Sequence, residues 1–89
     1  MRAVAYLQCL PSTDPACLVD VDLPTPNATG RDLLVRVHAV SVNPVDTKLR
    51  RHVAPSPGEP RVLGFDVAGV VEAVGSDVTL FQPGQRVWY

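Results

Sequence analysis

Proline and glycine decide what this chain can become. Nine prolines and six glycines punctuate its 89 residues. Each proline fixes φ and removes a backbone donor, and each glycine invites a turn. The interruptions leave too little continuous sequence for several helices. Between them the dominant apolar residue is valine, which occurs sixteen times, while isoleucine is absent. A β-branched side chain is stiff at χ1 and suits a pleated, half-buried surface. The expectation is a mainly β fold of short strands joined by turns and irregular loops.

A chain of this length makes one small domain with a thin core. Its hydrophobic fraction of 46% and charged fraction of 19% are globular values, which argues against a wholly disordered chain. Eight basic and nine acidic residues are spread without a block of like charge and leave a net charge of −1. A nucleic acid or an anionic membrane would select a basic footprint, so neither is an expected partner. No apolar run approaches the roughly 18 residues of a membrane span. Residues 3–7 follow Arg2 as a short apolar run, but Gln8 interrupts it and no small-residue cleavage pattern follows, so it reads as a strand rather than a signal peptide. Cys9 and Cys17 fit neither a zinc spacing nor a Cys-x-x-Cys pair. They are expected to be reduced thiols of a cytoplasmic protein.

Residues 1–8 form a first strand candidate, and Pro11, Ser12, Asp14 and Pro15 make residues 10–15 a turn. Residues 16–23 read as a second strand, because Val19-Asp20-Val21-Asp22-Leu23 alternates with period two. A loop over 24–30 leads into the strongest strand, residues 32–42. Strict alternation there puts Leu33, Val35, Val37 and Ala39 on one side and Leu34, Arg36, His38 and Val40 on the other.

The period then changes. Asn43-Pro44-Val45-Asp46 opens a short helix, with Asn as N-cap, Pro at the first helical position and an acid near the positive end of the dipole. Lys48, Arg50 and Arg51 place cations towards the C-terminal end, and the helix is expected to stop by His52. A proline-rich loop fills residues 53–60. An apolar strand region over 62–75 is punctuated by Gly64, Gly69 and Gly75, which mark bends or close backbone approaches. Residues 78–81 read as a short strand, and Gln82-Pro83-Gly84-Gln85 as a tight turn. The last strand starts at Arg86 and is still apolar at Tyr89, which leaves it without a partner in this reading and the chain as a fragment of a longer protein.

Spacing alone offers little chemistry. There is no phosphate loop or nucleophile elbow, and Gly64, Gly69 and Gly75 do not make Gly-x-Gly-x-x-Gly. His38 and His52 have no metal-ligand spacing. The order of segments is more specific. A strand ending Val35-Arg36-Val37-His38-Ala39-Val40-Ser41-Val42 runs into Asn43-Pro44-Val45-Asp46-Thr47-Lys48. A proline-rich loop follows, then Leu63-Gly64-Phe65-Asp66-Val67-Ala68-Gly69-Val70-Val71-Glu72-Ala73-Val74-Gly75 and Phe81-Gln82-Pro83-Gly84-Gln85-Arg86-Val87. This order resembles the N-terminal part of the medium-chain dehydrogenase/reductase superfamily, closest to quinone oxidoreductases and zinc-type alcohol-dehydrogenase-like proteins.

The resemblance implies a GroES-like, partly open β-barrel, with residues 1–89 as the N-terminal part of a catalytic domain. It implies a Rossmann domain absent from this chain and an active site between the two domains. It also implies NADP as cofactor of the complete enzyme, a small quinone or enone as substrate, and room for a homo-oligomer. The zinc enzymes of the group carry a zinc-binding Cys where Asn43 stands, a proton-relaying hydroxyl where Val45 stands, and Gly-His-Glu where Gly64-Phe65-Asp66 stands. A catalytic zinc needs three protein ligands, and a phenyl ring supplies none. The implied enzyme is therefore zinc-independent, with no metal ligands in this segment.

By the same resemblance Asn43 and Lys48 are the candidate catalytic residues, and Asn43, Val45 and Lys48 lie beside the nicotinamide. Phe65 and Asp66 line the acceptor. Each also has a structural reading: Asn43 as N-cap, Asp46 as the fixer of the helix start, Lys48 with Arg50 and Arg51 as a solvated helix end, and Phe65 as core. The phosphate cradle would lie on the missing domain, so residues 1–89 alone are expected neither to bind NADPH tightly nor to turn over. The alternative is a GroES-like binding or assembly module without enzyme activity, with the loop over 53–60 as its contact segment.

Overall fold

A computed structural model describes all of residues 1–89. Its elements are β1 (Arg2–Tyr6), β2 (Val19–Asp22), β3 (Leu33–Ser41), α1 (Pro44–His52), β4 (Arg61–Val62), β5 (Asp66–Val74) and β6 (Arg86–Trp88). The fold is mainly β with one α-helix after the third strand, as the sequence predicts. The chain divides into two compact units: Met1–Pro24 with Val42–Gly64, and Thr25–Ser41 with Phe65–Tyr89. Each carries one open three-stranded antiparallel sheet.

In the first unit the strand order is β2-β1-β4. Ala3 faces Val21 and Ala5 faces Val19 across β1–β2, while Ala5 and Tyr6 face Val62 and Arg61 of β4. Ala5 and Tyr6 are both fully buried. Successive strand side chains point to opposite faces, so the end of β1 is covered on both. The second strand is shorter than expected. Asp14 Oδ1 accepts the Ala16 N–H at 2.8 Å and caps a single 3-10 turn over Pro15–Cys17, which consumes the first residues of the predicted strand.

Helix α1 matches its sequence signals. Asn43 sits at the N-cap with extended backbone, Pro44 occupies the first turn, and Arg50, Arg51 and His52 close the last. The Tyr6 hydroxyl donates to the Val53 carbonyl at 2.7 Å, with the Leu49 carbonyl at 3.2 Å. The Leu49 carbonyl already accepts the Val53 N–H, but the helix end leaves the Val53 carbonyl without an intrahelical donor, and a buried tyrosine needs an acceptor. One contact meets both needs.

In the second unit the order is β3-β5-β6. Val67, Gly69 and Val71 of β5 alternate into its interior, with Val71 only 1% exposed. Strand β3 departs from the strict alternation expected of it. Its register against β5 shifts between Leu34 and Val35 and again between Val37 and Ala39, and its side chains are exposed from Arg36 onwards. The first shift skips Glu72 of β5 and the second skips His38 of β3, so each strand carries one extra residue.

The apolar region predicted as one strand over 62–75 is two strands in different sheets. Gly64, at φ +104°, breaks it in a conformation that L side chains rarely adopt. Residues 78–81, predicted as a strand, form none. The Asp77 N–H instead donates to the Gly30 carbonyl and the Val78 N–H to that of Gly75. The turn at residues 82–85 forms as expected, with the Gln85 N–H donating to the Gln82 carbonyl. The last strand is paired after all. Trp88, Val87 and Arg86 lie opposite Ala68, Gly69 and Val70, and Tyr89 exchanges two backbone hydrogen bonds with Val67.

Candidate functional site

Asn43, Val45 and Lys48 come together on the start of α1. Pro44 sets the first helical φ, and the extended Asn43 turns the chain into the helix. Val45 is 45% exposed and Lys48 is exposed. Three residues apart, they share one face of the helix. This face offers a small apolar patch beside an ammonium, with a side-chain amide at its N-terminal edge. Phe65 and Asp66 belong to the other unit. Phe65 is half-exposed rather than core, and Asp66 opens β5 opposite Ser41 of β3.

Asp46 lies under the helix start and is the one buried charged residue, 4% exposed. Its Oδ2 accepts the Asn43 N–H at 2.8 Å, and its Oδ1 accepts the Gly64 N–H at 2.9 Å. The first bond fits the sequence reading of Asp46 as the fixer of the helix start. The sequence carried no signal for the second, whose partners are 18 residues apart. Tyr6 was missed for the same reason. Arg50 also differs from the solvated helix end expected of it, since its Nη1 donates to the Leu10 carbonyl at 2.6 Å.

The metal question turns on donor chemistry. No three His, Cys, Asp or Glu side chains converge as a ligand set anywhere in residues 1–89. Cys9 is exposed and Cys17 half-buried, both unbridged. Phe65 has no donor atom, and a neutral amide such as Asn43 is a poor zinc ligand beside thiolate, imidazole or carboxylate. These residues do not fit a catalytic zinc.

The model of the alcohol dehydrogenase GroES-like domain matches residues 29–89. The chain belongs to this family. The resemblance to the medium-chain dehydrogenase/reductases therefore holds. Over all 89 residues the GroES-like chain is 40% identical to a zinc-type alcohol dehydrogenase-like protein of Staphylococcus epidermidis, 26% of which it covers. Two crystal structures match its whole length. One, from Rhizobium etli CFN 42 and provisionally assigned as a zinc-dependent alcohol dehydrogenase, is 54% identical with a TM-score of 0.94. The other, Escherichia coli quinone oxidoreductase complexed with NADPH, is 28% identical with a TM-score of 0.83. The chain covers 26% of each, so it spans about a quarter of the length of these relatives. No helix is long and apolar enough to cross a membrane.

Proposed function

We propose that residues 1–89 are the N-terminal catalytic-domain segment of a zinc-independent, NAD(P)H-dependent oxidoreductase that passes hydride to a quinone or activated alkene. The observation that carries this reading is that neither Asn43 nor Phe65, which the resemblance sets where zinc enzymes hold their metal, offers a good zinc donor for the Lewis acid that alcohol oxidation by those enzymes requires. The relative solved with NADPH is a quinone oxidoreductase, which supports the cofactor and the reaction class together.

A reduced nicotinamide supplies the hydride when bound. The chain's own residues then place and polarise. Exposed Val45 offers an apolar contact for a flat ring, and the Asn43 amide can donate to a carbonyl oxygen. Lys48, on the same helix face as Val45, contributes positive charge where an oxyanion develops. Phe65 supplies an apolar wall for the acceptor, and Asp66 a polar edge. A quinone needs only such placement and modest hydrogen bonding, because it accepts hydride without a metal.

The test is NADPH oxidation by the intact protein with a quinone, together with its zinc content. Quinone-dependent turnover without zinc supports the proposal. Stoichiometric zinc held through Asn43, or alcohol oxidation that requires zinc, overturns it. Residues 1–89 alone should neither bind NADPH tightly nor reduce a quinone, and measurable turnover by them would refute that part.

A further inference from the structure

We infer that Asp46 is a positioning residue for this site: its carboxylate latches the first turn of α1 to the Gly64 backbone and so fixes Asn43. The inference rests on the function proposed above. Burying a carboxylate is costly unless its oxygens are satisfied. A capping role explains one oxygen and can be filled at a solvated helix end, where most such acids sit. It does not explain 4% exposure, nor the second oxygen, which is committed 2.9 Å away to an amide 18 residues further on. Both facts follow if the carboxylate joins two backbone segments.

Gly64 lies between β4 and β5, and its φ of +104° sets the direction of its amide. The first turn of α1 cannot rotate or slide against it without leaving a half-buried N–H without this acceptor. Tyr6 secures the opposite end of the same helix through Val53. The nine-residue helix is thus pinned at both ends by buried side chains, and the N-cap Asn43 and the face bearing Val45 and Lys48 are held before any ligand arrives. Such advance placement is what hydride transfer between two held groups demands.

Asp46→Asn in the intact protein is the sharpest test. The side chains are isosteric, but the amide has one acceptor oxygen where the carboxylate has two, so one of the two bonds becomes a donor facing a donor. The expected result is a fall in kcat on the order of 10²-fold, with KM for NADPH moving less than about twofold. Amide exchange at Asn43 or Gly64 should quicken at the same time, while the β3–β5 ladder stays protected. Asp46→Glu keeps the charge and displaces the oxygens, so it should fail to rescue kcat.

Unchanged exchange at both amides, unchanged kcat, or rescue by Glu each overturns the inference. If Asp46→Asn does not fold, the unaltered protein still decides. Opening one carboxylate releases both amides, so Asn43 and Gly64 should exchange at a common rate, and rates more than about tenfold apart would refute the latch. If the unaltered protein does not transfer hydride to a quinone at all, the proposed function fails and the positioning role with it, while exchange still reports whether the latch exists.

Discussion

Each of the two units of this chain is stabilised internally by a different means. In Met1–Pro24 with Val42–Gly64 the β1 ladders are short, four residue pairs to β2 and two to β4. What fixes the helix there is a set of side chains reaching to backbone: Tyr6 to Val53, Asp46 to Asn43 and Gly64, and Arg50 to Leu10. In Thr25–Ser41 with Phe65–Tyr89 the paired nine-residue strands β3 and β5 dominate, and small residues let backbones approach closely. A ladder spreads stability over many equivalent bonds. Pins concentrate it in a few atoms, and they also place a helix more sharply than a ladder alone.

The contrast breaks most readily at Gly69. A Cβ there would stand 2.2 Å from the Arg36 carbonyl oxygen and 2.8 Å from a Val35 methyl, and the first contact is backbone that cannot swing away. Gly69→Ala should lower the unfolding free energy by about 3 kcal/mol or more, read by chemical denaturation. Amide protection should fall first in Thr25–Ser41 and Phe65–Tyr89. If Met1–Pro24 loses protection equally, the units unfold as one and the distinction collapses.

Asp46→Ala removes the acceptor of two amides at once and should cost about 2–3 kcal/mol, with faster exchange centred on Asn43 and Gly64. Tyr6→Phe keeps the buried ring and deletes only the hydroxyl, so a loss near 1 kcal/mol is expected from denaturation, localised to the last turn of α1. A loss as large as that of Asp46→Ala would mean that the ring, not the hydroxyl, is being disturbed. The smallest effect belongs to the surface of the ladder. Arg36 Nη2 lies 2.9 Å from Glu72 Oε1, but the two side chains are 67% and 45% exposed. Arg36→Ala should change stability by less than about 0.5 kcal/mol, and added salt should erase most of the difference.

Local chemistry was the most readable layer of the sequence. Asn43, Pro44 and Asp46 announced where α1 starts, because an N-cap, a first-turn proline and an N3 acid act within one turn. The turn through Pro83 and Gly84 was legible on the same footing. Periodicity was less reliable. Two register shifts undid the alternation read from residues 32–42, one skipping Glu72 of β5 and one skipping His38 of β3, and such a shift is settled between two strands rather than within one. The apolar stretch around Gly64 read as one strand, because valine-rich pattern does not say which neighbour each half will choose. Of the candidate site, Asn43, Val45 and Lys48 do share one helix start. The pins Tyr6, Asp46 and Arg50 came into view as pins only in three dimensions, since Val53, Gly64 and Leu10 are distant from them in the chain.

Taken alone, the amino-acid order determined the mainly β character, the place of the single helix and the family, each of which rests on residues close together along the chain. Tertiary structure alone decided that Gly64 divides two sheets, that β6 is paired, and that Asp46 is buried between two distant amides. Those outcomes depend on which backbone groups compete for the same acceptor once the chain is folded, and no local pattern encodes that competition.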